Sequence, residues 1–352
     1  MNKRSLILAA SLGAFALSSC GGPGESGDGG DRAAGGGSSR LDTVKARGQL
    51  ICGVDGGIPG FSFVDNGEYS GLDVDVCKAV AAALFDDPNA VEYRNLDSTE
   101  RFEALKGGEV DMLSRNTTWT ISRDTSVGME FAPTTFYDGQ GMMVRESSGI
   151  TDLQGLEGKT VCVEAGTTTE LNLTDQFRQL GINATPQTFQ SADAAYAAYE
   201  AGSCEGMTSD KSQLVARRST LSNPDEHVLL EVTMSKEPLG PLTINNDSAW
   251  FDTVKWVTYA LIQAEEFDLT ADNIAEAANS DNPDIKRFVG AEGTLGEDMG
   301  LPNDFAVRAV SAVGNYGEIF ERNLGEGSQF KLERGQNALY TDGGLMYSPP
   351  FR

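Results

Sequence analysis

The stretch "ALKGGEVDMLS", residues 104–114, carries the pattern that decides the fold. It joins the end of an apolar-periodic helix to a glycine stop, an acidic residue and a short apolar strand. The stretch "AYEAGSCEGMT", residues 198–208, repeats this order. The match is weak by itself, but it indicates two units built on the same plan.

Strands alternate with helices around the first stretch. Residues 50–55 and 109–114 are typical of strands, and residues 72–85 have apolar side chains at helical spacing. The sequence "DSTE", residues 97–100, resembles a capping box that opens another helix. Such alternation favours a parallel sheet in an α/β domain.

The second unit follows the same alternation. Residues 159–166 form a predicted strand that ends in a turn of small residues. Residues 169–180 and 194–201 are predicted helices, and residues 203–210 are the next predicted strand. The fold class predicted for the whole chain is therefore α/β with two similar lobes.

Two extended segments, residues 141–148 and 232–241, lie at the edges of the second unit and could join the lobes. The second lobe, residues 144–239, is then an insertion in the first. The first lobe consists of residues 41–143 plus 240–352 and includes a C-terminal extension. Two crossovers make a hinge, and the interlobe cleft is the expected ligand site.

The N-terminal residues look like an export signal. Residues 1–19 have a basic start and an apolar run that is too short to span a bilayer. They precede Cys20 in a context that resembles a bacterial lipobox, which predicts a lipidated cysteine and a lipoprotein signal peptide. The alternative is an ordinary cleaved signal with a chance cysteine. Residues 20–40 are rich in Gly and Ser, which predicts a flexible tether.

The composition argues against several classes of function. A formal net charge of −25 disfavours nucleic-acid binding, because phosphate backbones are bound mainly through Lys and Arg. The one histidine, His227, is expected to be solvated in a loop, so neither a catalytic triad nor a zinc site is expected. We expect the protein to bind no metal and no cofactor and to have no enzymatic activity. The alternative is a hydrolase that uses only carboxylate side chains.

Four cysteines remain once Cys20 is lipidated, and an exported protein lies where disulfides persist. Four cysteines allow three pairings. We favour Cys52–Cys77 and Cys162–Cys204, because each bridge then stays within one half of the chain. The alternative is two buried free thiols in each half.

The stretch "SRNTTWTISRD", residues 114–124, directly follows a predicted strand. Ligands of open α/β sheets bind outside the carboxyl ends of strands. Arg123 is therefore a candidate for gripping a carboxylate through two parallel hydrogen bonds, with Thr117 and Thr118 as further polar groups. The alternative is a surface ion pair between Arg123 and an acid such as Asp124.

The second unit offers complementary groups. The sequence "AGTTTE", residues 165–170, follows a strand and starts a helix, where free N–H groups favour an anion. The alternative is an ordinary threonine N-cap without a ligand. Asp210 ends the next strand and would face the same cleft. An arginine, a helix N-terminus and a carboxylate around one cleft match the charges of an α-amino acid.

Five stretches give the chain a family resemblance that covers nearly all of residues 41–352. They are "GVDGGIPGFSF" (53–63), "GEYSGLDVDVCKAVAAAL" (67–84), "GEVDMLSRNTTWTISRD" (108–124), "GKTVCVEAGTTTELN" (158–172) and "QNALYTDGGLMYSPPFR" (336–352). The sequence resembles the extracytoplasmic solute-binding proteins of ABC-type polar amino-acid uptake systems, bacterial family 3, and particularly their broad-specificity L-amino-acid binders. The resemblance implies a two-lobed, type II periplasmic-binding-protein fold that closes around its ligand.

The resemblance also implies roles for single residues. Arg123 would clamp the α-carboxylate, and Asp210 would bind the ammonium group. Thr118 and the backbone at Asn116 would contact both groups, and Thr168 would donate to the carboxylate from its backbone and hydroxyl. The implied ligand-binding set is Arg123, Thr118, Asn116, Thr168, Asp210, Arg115, Thr167 and Ile58.

Three positions depart from the family pattern. Ile58 and Ser98 stand where relatives carry aromatic side chains, and Arg115 replaces a small polar residue. These changes argue against a preference for basic or aromatic ligands. One hypothesis is that Arg115 lines the side-chain pocket and favours acidic or amide amino acids. The alternative is that Arg115 pairs with a nearby acid and shapes the pocket without touching the ligand.

The function predicted is capture of L-amino acids, with broad or acidic/amide preference, and their delivery to the permease subunits of an ABC transporter. The location predicted is the cell envelope or periplasm, with contact to the membrane only through the lipid anchor. An alternative is an enzyme of the cyclohexadienyl dehydratase type, which is known on the same fold. A third possibility is a sensor domain that acts by binding another protein.

Overall fold

The computed structural model describes residues 39–352. The predicted signal peptide, Cys20 and the tether up to residue 38 lie outside this range. The expected tether runs to residue 40, but Ser39 already belongs to the fold, because its hydroxyl donates to the Asp247 carboxylate at 3.0 Å. Within residues 39–352, none of the helices has the length and apolarity needed to cross a bilayer.

Residues 39–352 form fifteen strands and twelve α-helices. The strands are β1 (Leu50–Val54), β2 (Gly57–Ile58), β3 (Ser62–Asp65), β4 (Glu68–Ser70), β5 (Val91–Asn95), β6 (Met112–Leu113), β7 (Met129–Phe131), β8 (Phe136–Asp138), β9 (Gln140–Arg145), β10 (Thr160–Glu164), β11 (Thr185–Phe189), β12 (Gly206–Asp210), β13 (His227–Leu229), β14 (Glu237–Leu239) and β15 (Leu242–Ile244). The helices are α1 (Arg40–Arg47), α2 (Leu72–Phe85), α3 (Arg101–Lys106), α4 (Ile121–Thr125), α5 (Thr168–Leu180), α6 (Ala192–Glu200), α7 (Lys211–Arg218), α8 (Ser248–Glu266), α9 (Pro283–Phe288), α10 (Leu295–Asp298), α11 (Phe305–Val313) and α12 (Tyr316–Asn323).

Two five-stranded sheets share one topology. The first has the order β5-β1-β6-β15-β7 and the second the order β11-β10-β12-β9-β13. In the first, β1 pairs in parallel with β5 and β6, and β15 runs antiparallel to β6 and β7. In the second, β10 pairs in parallel with β11 and β12, and β9 runs antiparallel to β12 and β13. The repeated plan read from the sequence is therefore confirmed, with α3–β6 corresponding to α6–β12.

Two short antiparallel strands connect the sheets. β8 pairs with β14, and each leads directly into the fourth strand of the next sheet, β9 and β15 respectively. The expectation that residues 141–148 join the lobes was wrong, because the buried residues of β9 are part of the second sheet. The boundary expected between residues 143 and 144 falls inside this strand. The second expected crossover, residues 232–241, contains β14.

The observed bounds of single helices and strands agree with the predicted bounds to different degrees. α2 has the bounds that the apolar spacing predicts. Only half of the predicted capping box forms: the Glu100 carboxylate accepts from the Asp97 N–H at 3.1 Å, and α3 begins at Arg101 without a side-chain cap. The strand predicted over residues 109–114 is reduced to β6, because the Asp111 carboxylate accepts the Ile51 N–H at 2.7 Å.

Each sheet is tied to its surroundings by one disulfide. Cys52–Cys77 joins β1 to α2, and Cys162–Cys204 joins β10 to the loop after α6. These are the two pairings that the sequence favoured.

The expectation that His227 is solvated in a loop was wrong. His227 begins β13 and is buried, and its Nδ1 lies 2.9 Å from the Tyr199 hydroxyl.

The C-terminal extension packs against the first lobe. The ring of Phe351 lies 5.1 Å from the rings of both Trp256 and Phe288, between centroids. The Arg334 guanidinium donates to both carboxylate oxygens of Glu265, at 3.0 and 3.1 Å. Aromatic contacts and a two-point ion pair therefore fix the course of the last residues.

The extension also reaches the crossover strand β8. The Asn337 side chain accepts from the Tyr137 N–H at 2.7 Å and donates to the Tyr137 carbonyl at 3.1 Å. Tyr137 stands opposite Pro238 in the β8–β14 pair. A single amide side chain thus occupies the edge of β8 as a neighbouring strand would.

Candidate functional site

A cavity lies between the two sheets. Its lining consists of Ile58, Ser98, Arg101, Arg115, Asn116, Thr118 and Arg123 from the first lobe, and of Glu164, Thr167, Thr168, Thr169, Ser209, Asp210 and Gln213 from the second. All eight residues of the predicted ligand-binding set are among them. Within residues 39–352, no group of three or more His, Cys, Asp or Glu side chains is arranged to hold a metal ion.

Asp73 organises the loop after β6. Its carboxylate accepts from the Asn116 N–H and from the Ser114 hydroxyl, both at 3.2 Å. Burial raises the pKa of Asp73 to about 6. Held in this way, Asn116 adopts a left-handed backbone with φ of 37°. Both polar atoms of its side-chain amide are buried and have no hydrogen-bond partner within the described residues.

Arg123 lies on α4, whose first turn is capped by the Thr120 hydroxyl. Its Nη1 donates to the Thr118 carbonyl at 2.7 Å, and its guanidinium carbon lies 5.4 Å from the centre of the Phe102 ring. The alternative surface pair with Asp124 is absent: no acidic side chain of residues 39–352 lies within 4.0 Å. Burial lowers the pKa of Arg123 to about 10, so an anion that pairs with it would relieve an unfavourable buried charge.

Arg101 is a second cation that sequence reasoning missed. It is only 2% exposed, and its Nη1 donates to the Thr117 hydroxyl at 3.3 Å. Its Nε has no partner within the described residues, and no acid lies within 4.0 Å of it. Burial, together with the charges of Arg115 and Arg123, holds the pKa of Arg101 well below its usual value. The sequence feature that could have revealed Arg101 was a basic residue at the start of a predicted helix, beside the carboxyl ends of the strands.

Arg115 is already paired. Its Nη2 lies 2.7 Å from an Asp55 carboxylate oxygen and 3.5 Å from one of Glu164, and its Nε donates to the Leu96 carbonyl at 2.6 Å. Asp55 belongs to the first lobe and Glu164 ends β10 in the second. The pairing that the alternative hypothesis required is therefore present, although Arg115 also lines the cavity.

The wall of the second lobe begins at the N-terminus of α5. The Thr167 hydroxyl accepts from the Glu170 N–H at 3.1 Å, as an ordinary N-cap does. The first N–H groups of a helix have no intrahelical partner and remain available beside the cavity. The Thr168 hydroxyl donates to Glu237 at 2.8 Å. This bond competes with the predicted bond from the Thr168 hydroxyl to a ligand carboxylate, which stays a prediction.

Asp210 lies at the end of β12 on the same wall. Its side chain is buried, and it forms no hydrogen bond or ion pair with the rest of residues 39–352. The pKa of Asp210 is held well above its usual value, mainly by burial and further by the nearby carboxylates of Asp138 and Glu237. The cavity thus has cations without acidic partners on one wall and a carboxylate without a donor on the other.

Comparison with known proteins identifies the family. The model of the bacterial extracellular solute-binding proteins, family 3, matches residues 50–326. The chain belongs to this family. Membership confirms the resemblance seen in the sequence, and the two sheets with their double crossover are the type II periplasmic-binding-protein fold that it implied.

Similar family 3 proteins match almost the whole chain. The general L-amino acid-binding periplasmic protein AapJ of Rhizobium johnstonii is 51% identical over 318 residues, covering 90% of this chain and 93% of that protein. The glutamate/glutamine/aspartate/asparagine-binding protein BztA of Rhodobacter capsulatus is 50% identical, covering 90% and 94%. A solved ABC transporter/periplasmic binding protein from Brucella ovis, with glutathione bound, is 49% identical with a TM-score of 0.88, covering 90% and 100%.

Proposed function

We propose that this chain captures L-amino acids in the interlobe cavity and delivers them to an ABC permease. The observation that carries the proposal is that Arg123 and Asp210 lie on opposite walls of one cavity. Neither has a partner of opposite charge within 4.0 Å among residues 39–352. A guanidinium fits the α-carboxylate, and a buried carboxylate fits the α-ammonium group. The names of the similar family 3 proteins support this function rather than the dehydratase alternative.

Capture would proceed by closure of two rigid lobes. The two sheets and their helices would move as units, and β8 and β14 would absorb the bend. A ligand drives such closure only through contacts that differ between the open and closed states. Arg123 and Asp210 supply this difference, because one ligand can satisfy both only when the walls approach.

Two experiments test the function. Mass spectrometry of the small molecules that co-purify with the protein should find L-amino acids. Calorimetric titration with L-glutamate, L-glutamine, L-aspartate, L-leucine and L-arginine should then give the order of affinity. Prephenate and arogenate serve as controls and should yield no product. Failure to bind any L-amino acid, or turnover of either control, would contradict the proposal.

We propose further that Arg101, rather than Arg115, gives the site a preference for acidic and amide side chains. Arg115 is already engaged by Asp55 and Glu164, whereas Arg101 and the Asn116 amide have unused hydrogen-bonding groups. The name of BztA and the glutathione in the Brucella ovis structure support this preference, since glutathione carries a γ-linked glutamyl group.

Replacing Arg101 by methionine is expected to weaken L-glutamate binding about 10- to 100-fold more than L-leucine binding. The physical reason is the loss of one charge-assisted hydrogen bond to the ligand side chain. The calorimetric panel measures the ratio of the two affinities. Arg115→Met is the matched comparison. It should weaken the binding of L-glutamate and of L-leucine alike, because it removes the interlobe ion pair between Arg115 and Glu164. A selective loss of glutamate binding in Arg115→Met alone would assign the role to Arg115 instead.

The lipid anchor is also proposed, on the lipobox-like sequence around Cys20. Acylation at this residue would hold the protein at the membrane surface within reach of a permease. In cells that process lipoproteins, the protein is expected in the membrane fraction, and Cys20→Ser should move it to the soluble fraction. Equal distribution of both forms would show that Cys20 carries no anchor.

A further inference from the structure

Glu237, the first residue of the crossover strand β14, lies beside the cavity where the two lobes meet. It is 1% exposed. Its carboxylate accepts hydrogen bonds from the Thr118 hydroxyl at 2.6 Å, the Thr168 hydroxyl at 2.8 Å, the Asn172 amide at 2.9 Å and the Ser235 hydroxyl. No Lys or Arg of residues 39–352 lies within 4.0 Å of it. The carboxylate is thus held entirely by neutral donors.

The donors to Glu237 come from both lobes. Thr118 lies in the loop after β6, whereas Thr168 and Asn172 lie on α5. The hydroxyl oxygens of the two threonines are 3.3 Å apart, and both threonines line the cavity. Their shared contact with one carboxylate oxygen therefore requires the closed arrangement of the lobes.

A hydroxyl group has one proton and two lone pairs. Thr118 and Thr168 both direct that proton to the same oxygen of Glu237. Towards the cavity they can then present only lone pairs, and so they can accept hydrogen bonds but not donate them. A ligand ammonium group, which carries only donors, matches this arrangement, whereas a carboxylate would face like charge.

We propose that Glu237 is a positioning residue that makes the closed site selective for a protonated α-amine. It fixes the donor direction of the Thr118 and Thr168 hydroxyls, and it adds negative charge behind them. Asp210, on the second wall, complements this acceptor surface. The inference rests on the proposed binding of L-amino acids and identifies the part of the ligand that the threonines recognise.

The test compares each amino acid with the same acid lacking its α-amino group. L-Glutamate is paired with glutarate, and L-leucine with 4-methylpentanoate, as calorimetric ligands of the full chain. In Glu237→Gln the side chain keeps its size, but its amide can donate, which frees the threonine hydroxyls to turn. We expect the preference for the amino acid over its deaminated partner to fall at least about tenfold. An unchanged preference, or equal losses for both ligands, would overturn the inference.

Glu266→Gln is the matched control. Glu266 is a partly buried glutamate that also accepts from neutral groups, the Ser348 N–H at 2.8 Å and the Gln263 amide at 3.2 Å, but neither of these donors lines the cavity. The Glu266→Gln variant should keep the preference for the amino acid over its deaminated partner. Far-UV circular dichroism should show that all variants are folded. If Glu237→Gln does not fold, Thr168→Val provides the test, because it removes one acceptor at constant size and must lower the same preference.

The outcomes also separate this inference from the proposed function. A wild-type protein that binds no L-amino acid contradicts the function itself. A wild-type protein that binds amino acids, combined with a preference that survives in the folded Glu237→Gln and Thr168→Val variants, contradicts only the role of Glu237.

Discussion

Arg123→Ala is expected to abolish tight L-amino-acid binding while the far-UV spectrum stays native. The variant removes the cation proposed to hold the α-carboxylate and leaves that carboxylate enclosed without its partner. Losing one member of a buried charge pair costs about 2–5 kcal/mol, which corresponds to a loss of about thirtyfold to several thousandfold in affinity. Calorimetric titration measures the loss, which should be similar for every amino acid because the α-carboxylate is common to all.

Two further arginine variants sharpen this test. Arg123→Lys keeps the charge but loses the planar fork, and its affinity should lie between those of the wild type and Arg123→Ala. Arg94→Ala is the control, because Arg94 is 58% exposed and pairs with Glu92 at the surface. Retained affinity in Arg123→Ala would refute the carboxylate clamp.

Asp210→Asn is expected to weaken binding by a similar amount. Asparagine keeps the size and shape of the side chain but removes the charge that would face the ligand ammonium group. The loss is again estimated at about 2–5 kcal/mol, since the ammonium group remains buried without its countercharge. Calorimetry on the folded variant provides the measurement, and affinity within a factor of two of the wild type would remove Asp210 from the site.

The same residue should make binding sensitive to pH. Burial and the neighbouring carboxylates of Asp138 and Glu237 raise the pKa of Asp210 in the ligand-free protein, against the opposing effect of Arg123 and Arg101. A bound ammonium group favours the ionised form, so binding releases a proton wherever Asp210 was protonated. Affinity should therefore be full above the raised pKa and should fall as the pH drops through it.

Calorimetry in two buffers of different ionisation enthalpy counts the protons released on binding. The count should rise as the pH is lowered towards the raised pKa of Asp210, and it should be smaller in Asp210→Asn. An unaltered proton count in Asp210→Asn would assign the pH dependence to a neighbouring carboxylate, Asp138 or Glu237.

The fold could be read from the sequence where its determinants are local. The apolar spacing of residues 72–85 fixes the helix α2 by itself, and the repeated helix–glycine–acid–strand pattern fixes the parallel part of both sheets. The first crossover could not be placed, because residues 141–144, "GMMV", would be extended and apolar either in a crossover or in a sheet strand. Only pairing with β12 and β13 assigns this run to the second sheet.

The site shows the same limit. The positions of Arg123 and Asp210 beside the cavity could be predicted, because Arg123 follows a predicted strand and Asp210 ends one, and the carboxyl ends of such strands meet at one edge. Arg101 and Glu237 lie on a helix and on a crossover strand, and only tertiary packing shows that their charges are buried beside the cavity. The partners of Arg115 likewise lie far along the chain, so sequence spacing could not decide between its two roles.

The insertion of one lobe into the other has a consequence for the order of folding. All strands of the second sheet lie between Gln140 and Leu229, so this sheet needs no residue from outside one continuous segment. The first sheet is complete only when β15 pairs with β6 across the whole inserted lobe. Contacts so distant in sequence form slowly, because a long loop must close before they are gained. Insertion of β15 is therefore expected to be a late and slow step in the folding of residues 39–352.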